Sequence, residues 1–303
     1  MLPGAARIHP MSVPVSWSAV QQRLAGLLAP ASNCYRPLRI GGQVAGWIAP
    51  ERVERLRAFA NVFRVAPDAV EFVPALDNAP ARTTAMAFVA GQLRAEELLT
   101  AWRDELYCVA RELGDPPWFL LERAAARYFG VHTHAVHGNC LVKAHGKLHL
   151  WFARRSTGKA IDPGMLDNLV GGGLAADTSV AETLAKEAWE EAGISAATAR
   201  TAAACGKLHV RRDQPDGLHW ETIFVYDIGL PMAFKPVNQD GEAVGHRLVT
   251  LDNAARLIAS DCGVDQVTAD ASLVVLDCLL RHGAVPADAQ EWPVLHALGR
   301  TPV

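Results

Sequence analysis

With 303 residues, 50% hydrophobic and 20% charged, and a formal net charge of −3, the chain has material for one large domain or two of ordinary size. The near-neutral balance, without a long block of one sign, excludes the basic surface that nucleic-acid binding needs; a small anionic substrate needs only a few placed cations. No apolar run reaches the ~20 residues of a membrane span, and the N-terminal MLPGAARIHPMSVPVS is too broken by proline for a secretory signal, so a cytoplasmic location and no membrane partner are expected.

In chain order, Trp17 to Leu28 reads as a helix, Arg39 to Ile48 as a hairpin turning at Gly41-Gly42, and Pro50 to Phe59 as a helix opening at proline. Val70 to Pro74 and Arg82 to Val89 read as strands. Glu96 to Leu113 has helical periodicity with Gly114 as its stop, and Asp115-Pro116-Pro117 breaks the chain. Leu120 to Phe129 reads as a helical bridge. From Val131 the texture turns to alternating strand patterns, with a hairpin of His134 to Val142 and Lys147 to Ala153 around Ala144-His145-Gly146. Lys207 to Val210 and Glu221 to Ile228 supply further strands, Leu251 to Ile258 and Ala269 to Arg281 helices. The expected architecture is α/β, with an α/β/α sandwich in the second half and a small α/β domain before it. The boundary falls at 115/116, giving domains 1–115 and 116–303.

The six cysteines are widely spaced and form no CxxC pair, against a zinc site or a disulfide framework. Cys140, Cys262 and Cys278 sit among apolar neighbours and read as reduced core residues. The same default applies to the aromatic residues Trp47, Phe63, Trp102, Trp118 and Tyr128.

The segment from Gly171 to Ile194 carries the chemistry. Ser179-Val180-Ala181-Glu182 has capping-box spacing, which starts a helix, and Gly193 ends it. Leu184, Ala185, Ala188 and Ala192 form an apolar face, and Glu187, Glu190 and Glu191 stand at i, i+3 and i+4. Three carboxylates on one side repel one another unless water screens them or a cation neutralises them. A solvated helix face would carry such glutamates too; the glycine-rich approach and the closing glycine favour a metal site. Hard oxygen ligands suit Mg2+ or Mn2+, and the implied reaction is metal-assisted hydrolysis of a phosphoanhydride. No GxxxxGK phosphate loop occurs, which excludes a P-loop kinase.

Gly172-x5-Thr178-x7-Lys186-Glu187-Ala188-x-Glu190-Glu191-x-Gly193-Ile194 resembles the Nudix box, Gx5Ex7REUxEExGU, departing from it with Thr178 for Glu and Lys186 for Arg. Lysine keeps the charge but loses the bidentate fork. Arg154-Arg155-Ser156, Lys159, Pro163 to Asn168 and Val170-Gly171-Gly172 resemble the Nudix subgroup related to thiamine pyrophosphokinase. Tyr226 to Pro231, Asn238 to Glu242 and Leu280-Arg281-His282-Gly283 resemble its later blocks; Arg82-Thr83 and Trp102 to Tyr107 resemble its N-terminal accessory domain. The resemblance implies a Nudix hydrolase that cleaves thiamine diphosphate or an oxidised analogue to the monophosphate.

The expected site is therefore Glu187, Glu190 and Glu191 on the metal, with Glu242, in a turn after Asp240-Gly241, as a further ligand or base. Arg154, Arg155 and Lys159 are expected to clamp phosphate oxygens, with Asp167, Gly172 and Gly173 as further substrate contacts. His132, His134 and His137 alternate along a strand and fit a pocket wall better than a metal. The partner is a small-molecule diphosphate, and a homodimer is left open. Competing readings are a degenerate Nudix domain that senses a nucleotide or cofactor, a pyrophosphatase of nucleoside-diphosphate derivatives, and an isopentenyl-diphosphate-isomerase-like protein. The last needs a paired cysteine and glutamate, and Cys140 lacks the surrounding motif.

Overall fold

The structure, a computed structural model, describes residues 14–32 and 34–300. The segment 1–13, on which most of the secretory-signal reading rests, lies outside them. The described chain opens with α1 (Trp17–Leu27), capped by the Ser16 hydroxyl on the Ala19 N–H. Two units with separate sheets follow.

In the first unit, β1 (Arg36–Ile40) and β2 (Gln43–Ile48) form the expected hairpin, and α2 (Pro50–Leu56) has proline at its start. β3 (Phe63–Val65) and β4 (Val70–Phe72) complete a sheet of order β2-β1-β4-β3, in which β1 and β4 run parallel. The segment expected to be a strand at Arg82 to Val89 lies inside α3 (Ala79–Ala95). There Asn78 accepts the Ala81 N–H at 2.9 Å, proline sits in the first turn, and the alanines that weaken a strand favour a helix. The helix expected over Glu96 to Leu113 is absent. Glu97, Ala101 and Asp104 take positive φ of 59°, 59° and 55°, which a helix does not tolerate. The chain instead makes β5 (Leu106–Val109), paired with β6 (Phe119–Glu122). β6 also replaces the start of the expected helical bridge, and only α4 (Ala126–Phe129) and the turn before it are helical.

Leu38, Ile48, Phe63, Met86, Phe119 and Phe129 fill the core of this unit, which continues through Val131. The expected boundary at 115/116 thus falls in the connection between two paired strands. The helix α1 also departs from a simple division, because Val20 and Leu24 are buried in the second unit's core and Arg23 donates to Ile258 O, Val267 O and Ser272 Oγ.

The second unit is built on a seven-stranded mixed sheet of β7 (Thr133–Ala144), β8 (Lys147–Arg155), β9 (Leu166–Asn168), β10 (Val170–Gly173), β11 (Ala203–Gln214), β12 (Gly217–Leu230) and β13 (Ala243–Thr250). Its main order is β11-β12-β7-β8-β13, with β10 on β7 and β9 on β8. β12 and β7 run parallel, Glu221 opposite Thr133, and the other pairs are antiparallel. On one face α5 (Val180–Ala192) packs Leu184, Ala188 and Ala192 against Val136, Cys140 and Ile228, with the short α6 (Ala196–Ala199) beside it. On the other, α7 (Leu251–Ala259), α8 (Ala269–Arg281) and α1 pack on Leu141, Leu150 and Phe152, and α9 (Trp292–Ala297) closes the end. This is the expected sandwich of two helical layers about a mixed sheet.

Cys140 and Cys278 are buried and free as expected, but Cys262 is exposed, since it sits in the connection between α7 and α8. Among the described residues no helix is long and apolar enough to cross a membrane.

Candidate active site

A cavity of about 220 Å³ lies where the two units meet. Its floor is β12, β7 and β10, contributing His219, Glu221, Thr133, Ala135, His137 and Gly171 to Gly173. Over the glycines stands α5, whose ends are fixed by sequence. Ser179 Oγ accepts the Glu182 N–H at 3.2 Å and Glu182 caps the Ser179 N–H at 2.9 Å, while Gly193 takes a left-handed φ of 66°. Such a capping box contributes about 1 kcal/mol. It fixes where the glutamates fall.

Glu191 accepts the Gly171 N–H at 2.8 Å, and Glu187 lies against Gly172 so closely that a Cβ there would collide with its carboxyl. A Cβ on Gly173 would collide with the Tyr107 hydroxyl from the first unit. The glycine run is therefore required by two close approaches, one from each wall. Burial first, then the charges of Glu187 and Asp167, raises the Glu191 carboxyl well above the ordinary glutamate range, against the pull of the Gly171 N–H and Lys159. Burial also raises Glu187, opposed by Lys186 and Arg123 and aided by Glu190.

Glu190 does not line the cavity. At 100° per residue it projects about 60° from Glu187 and 100° from Glu191, so the three do not converge equally. Lys186 Nζ sits between the outer pair, 3.0 Å from Glu187 Oε1 and 2.9 Å from Glu190 Oε2, a cation lodged between two of the glutamates. Thr178, at the other departure from the Nudix box, bonds Ala175 O and Thr183 Oγ1, both at 3.0 Å, and serves the loop before the helix.

Among the expected phosphate contacts, Arg155 and Lys159 line the cavity, as do Asp167, Gly172, Gly173 and Glu242. Arg155 donates to Asp167 Oδ2 at 2.7 Å, and Lys159 pairs with Glu242. Arg154 is placed otherwise. As the neighbour of Arg155 on a strand it points to the opposite side, donating to Gly164 O and Val264 O and pairing with Asp265. Burial opposes ionisation of Glu242, but Lys159, Arg103 and Arg123 hold its carboxyl below the ordinary range.

Sequence reasoning missed the opposite wall. Arg103, 3.1 Å from Glu242, and Arg123, 2.8 Å from Glu105, come from the first unit and line the cavity beside Tyr107. Arg103 and Tyr107 lie in the Trp102 to Tyr107 block; Arg123 stood in a stretch assigned to a helix. The histidines divide. His137 is buried in the cavity floor with Nδ1 2.8 Å from Asn168 Oδ1, whereas His132 stacks on Trp220 at 4.6 Å and meets Thr222 Oγ1 at 2.9 Å. The blocks around Asp227 and Arg281 meet outside the cavity: Asp227 accepts two bonds from Arg281, at 2.6 and 2.9 Å, and lies 2.8 Å from His282 Nε2.

Residues 132–264 match the model of the NUDIX domain, and residues 21–133 match a domain of unknown function (DUF4743). "Nudix hydrolase 24, chloroplastic" of Arabidopsis thaliana is 35% identical over 273 residues, 86% of this chain and 74% of that protein. "Nudix hydrolase 20, chloroplastic" of the same plant is 34% identical over 308 residues, covering 93% and 82% respectively. A solved MutT protein from Methanosarcina mazei Go1, 18% identical, aligns over 51% of this chain and 96% of its own with a TM-score of 0.39. With two relatives above 30% identity matched over most of their length, the chain belongs to the Nudix hydrolase family and is a hydrolase of phosphorus-containing acid anhydrides.

Proposed function

We propose that the protein hydrolyses the phosphoanhydride bond of a small diphosphate, using Mg2+ or Mn2+ held by Glu187, Glu190 and Glu191, and that its substrate is thiamine diphosphate or an oxidised analogue. The observation that carries this reading is the pairing of Glu187 and Glu191 over the glycine ledge with Arg103, Arg123, Arg155 and Lys159 around the same cavity. The donor set is all oxygen, and burial and neighbouring carboxylates raise Glu187 and Glu191, so it fits a hard dication. When bound there, such an ion neutralises non-bridging phosphate oxygens and acidifies its water.

The remaining tasks fall to the chain itself. Arg123 and Arg155 orient the diphosphate, with Lys159 exchanging its Glu242 partner for phosphate oxygen. A water oxygen joins the terminal phosphorus, the bridging P–O bond breaks, and its electron pair leaves with the monophosphate while orthophosphate departs. The water proton passes to a carboxylate of the glycine-ledge wall, Glu187 or Glu191, since Glu242 is engaged by Lys159 and Arg103. Glu242 then acts by holding Lys159 and Arg103 in the cavity. Val131, Ile161, Leu218 and Trp220 supply apolar and aromatic surface for a ring.

Incubation with magnesium and a diphosphate panel tests the reading, with monophosphate and orthophosphate measured as products. Thiamine diphosphate or its oxidised analogues should give the highest kcat/KM. Faster cleavage of ADP-ribose than of every thiamine compound would replace the substrate; no cleavage of any diphosphate would leave a binding domain.

A further inference from the structure

The cavity carries a second group of donors, apart from the glutamate helix. His219 and Glu221 project from β12, two residues apart and so on one face of the sheet. Asp270, in the first turn of α8, meets them there. His219 Nε2 is 3.2 Å from Asp270 Oδ2 and 3.8 Å from Glu221 Oε2, and all three residues line the cavity. Those separations are what one small cation imposes on donors about 2.1 Å from its centre.

The histidine is the independent sign that something belongs between them. Its side chain is 6% exposed, and Nε2, although 3.2 Å from Asp270 Oδ2, meets no partner in hydrogen-bond geometry. A buried polar atom left without a partner costs about 1–3 kcal/mol and calls for an occupant. The carboxylates are held from behind: Thr133 donates to Glu221 Oε1 at 3.0 Å and Arg212 to Asp270 Oδ1 at 3.0 Å. Glu221 Oε2 and the Nε2 lone pair remain for a ligand, with Asp270 Oδ2 shared with Arg212 at 3.2 Å. With His219 neutral, Glu221, Asp270 and Arg212 sum to one negative charge.

We propose that His219, Glu221 and Asp270 form a second cation site, for a borderline dication such as Zn2+ or Mn2+. One imidazole nitrogen with two carboxylate oxygens favours those ions over Mg2+, which prefers oxygen alone. Glu221 faces Thr133 on one side of β7 and Gly173 faces Ala135 on the other, so the two backbones stand roughly 12 Å apart from strand spacing and rise. Ions bridged by one phosphate oxygen pair lie about 4 Å apart. Measured between backbones, this site is set apart from the glycine ledge beneath Glu187. It stands without the hydrolytic reading, since its test reads metal content instead of turnover.

In the test, the full chain with Glu187, Glu190 and Glu191 all changed to Gln is stripped with chelator, exposed to Zn2+, desalted and assayed for bound zinc. One zinc per chain is expected, and adding His219→Gln should weaken its binding at least tenfold. No zinc in the triple variant, or equal affinity with and without His219, would overturn the site and leave His219 as an imidazolium paired with its two acids. Should the combined variant fail to fold, electron-spin-echo spectroscopy of Mn2+ on the triple variant decides the matter. Coupling to an imidazole nitrogen supports the site; its absence refutes it.

Discussion

The two walls of the cavity obey different rules. The wall made by β10 and α5 is local: a glycine run, a capping box, three glutamates and a terminal glycine lie within one stretch, Gly171 to Gly193, and each fixes the next. The facing wall is assembled from distant pieces: Arg103 from an irregular loop, Tyr107 from β5 and Arg123 after β6 meet only because those two strands pair. In the proposed reaction the carboxylates sit on the local wall with Arg155 and Lys159 from the same unit, while Arg103 and Arg123 reach the cavity only through the wall that needs tertiary structure.

The sharpest way to break this comparison is Glu187→Gln. It keeps the shape against Gly172 but removes a negative ligand, so kcat should fall about a thousandfold, some 4 kcal/mol of barrier. Apo stability should hold or rise, because Glu187 is raised by burial and by Glu190, a repulsion that the amide relieves. Glu190→Gln should cost less, roughly tenfold to a hundredfold, as that carboxylate stands outside the cavity. Equal losses in the two variants, measured at saturating magnesium, would show that the local wall acts as one unit.

On the facing wall, Arg123→Ala should lower kcat/KM by roughly thirtyfold, about 2 kcal/mol, the worth of a charge-assisted hydrogen bond to phosphate. The loss should lie chiefly in KM. If kcat alone fell, Arg123 would belong with the reaction chemistry and the division between the walls would fail.

How far the sequence reached follows the same division. The β1–β2 and β7–β8 hairpins, α5, α7, α8 and the sandwich were legible because turn glycines, caps and periodicity are local signals. The helix expected at Glu96 to Leu113 gives way to the pairing of Leu106 with Glu122, which is not local. The strand expected at Arg82 to Val89 is an exception to the division, since the Asn78 cap that makes it helical is a local signal. Arg154 and Arg155 looked alike as a charged pair, and only the alternation of β8 separates the one facing the cavity from the one tied to Asp265. His219, Glu221 and Asp270 carry no motif at all; 49 residues separate the last two.

A smaller effect tests the clamp that holds the sheet without touching the cavity. Burial opposes the charge of Asp227, but Arg281 and His282 bond it and hold it below the ordinary aspartate range. A depressed folded pKa means stability present above the unfolded value, about 3.9, and lost as pH falls through the folded one. Urea unfolding should therefore weaken below about pH 4, and Asp227→Asn should flatten that slope. The variant should lose roughly 2 kcal/mol at neutral pH, since Arg281 keeps only Asp277, while kcat per folded molecule stays unchanged.

The smallest effect is at Lys186, where the chain departs from the Nudix box. Its side chain is 51% exposed, so its bonds to Glu187 and Glu190 are screened and each contributes only a few tenths of a kcal/mol. The order is also the weaker one, with lysine four residues before glutamate instead of after it. Lys186→Gln removes a positive charge that competes with a metal for the same oxygens. Magnesium should then bind two- to threefold more tightly by calorimetry, while the apo protein melts a degree or two lower because the glutamates repel unscreened. These two shifts have opposite signs, which no general loosening of α5 would produce. If magnesium affinity fell together with the melting temperature, Lys186 would be orienting the ligands, as the family's arginine is expected to do, and the ammonium between Glu187 and Glu190 would be part of the site instead of a competitor for it.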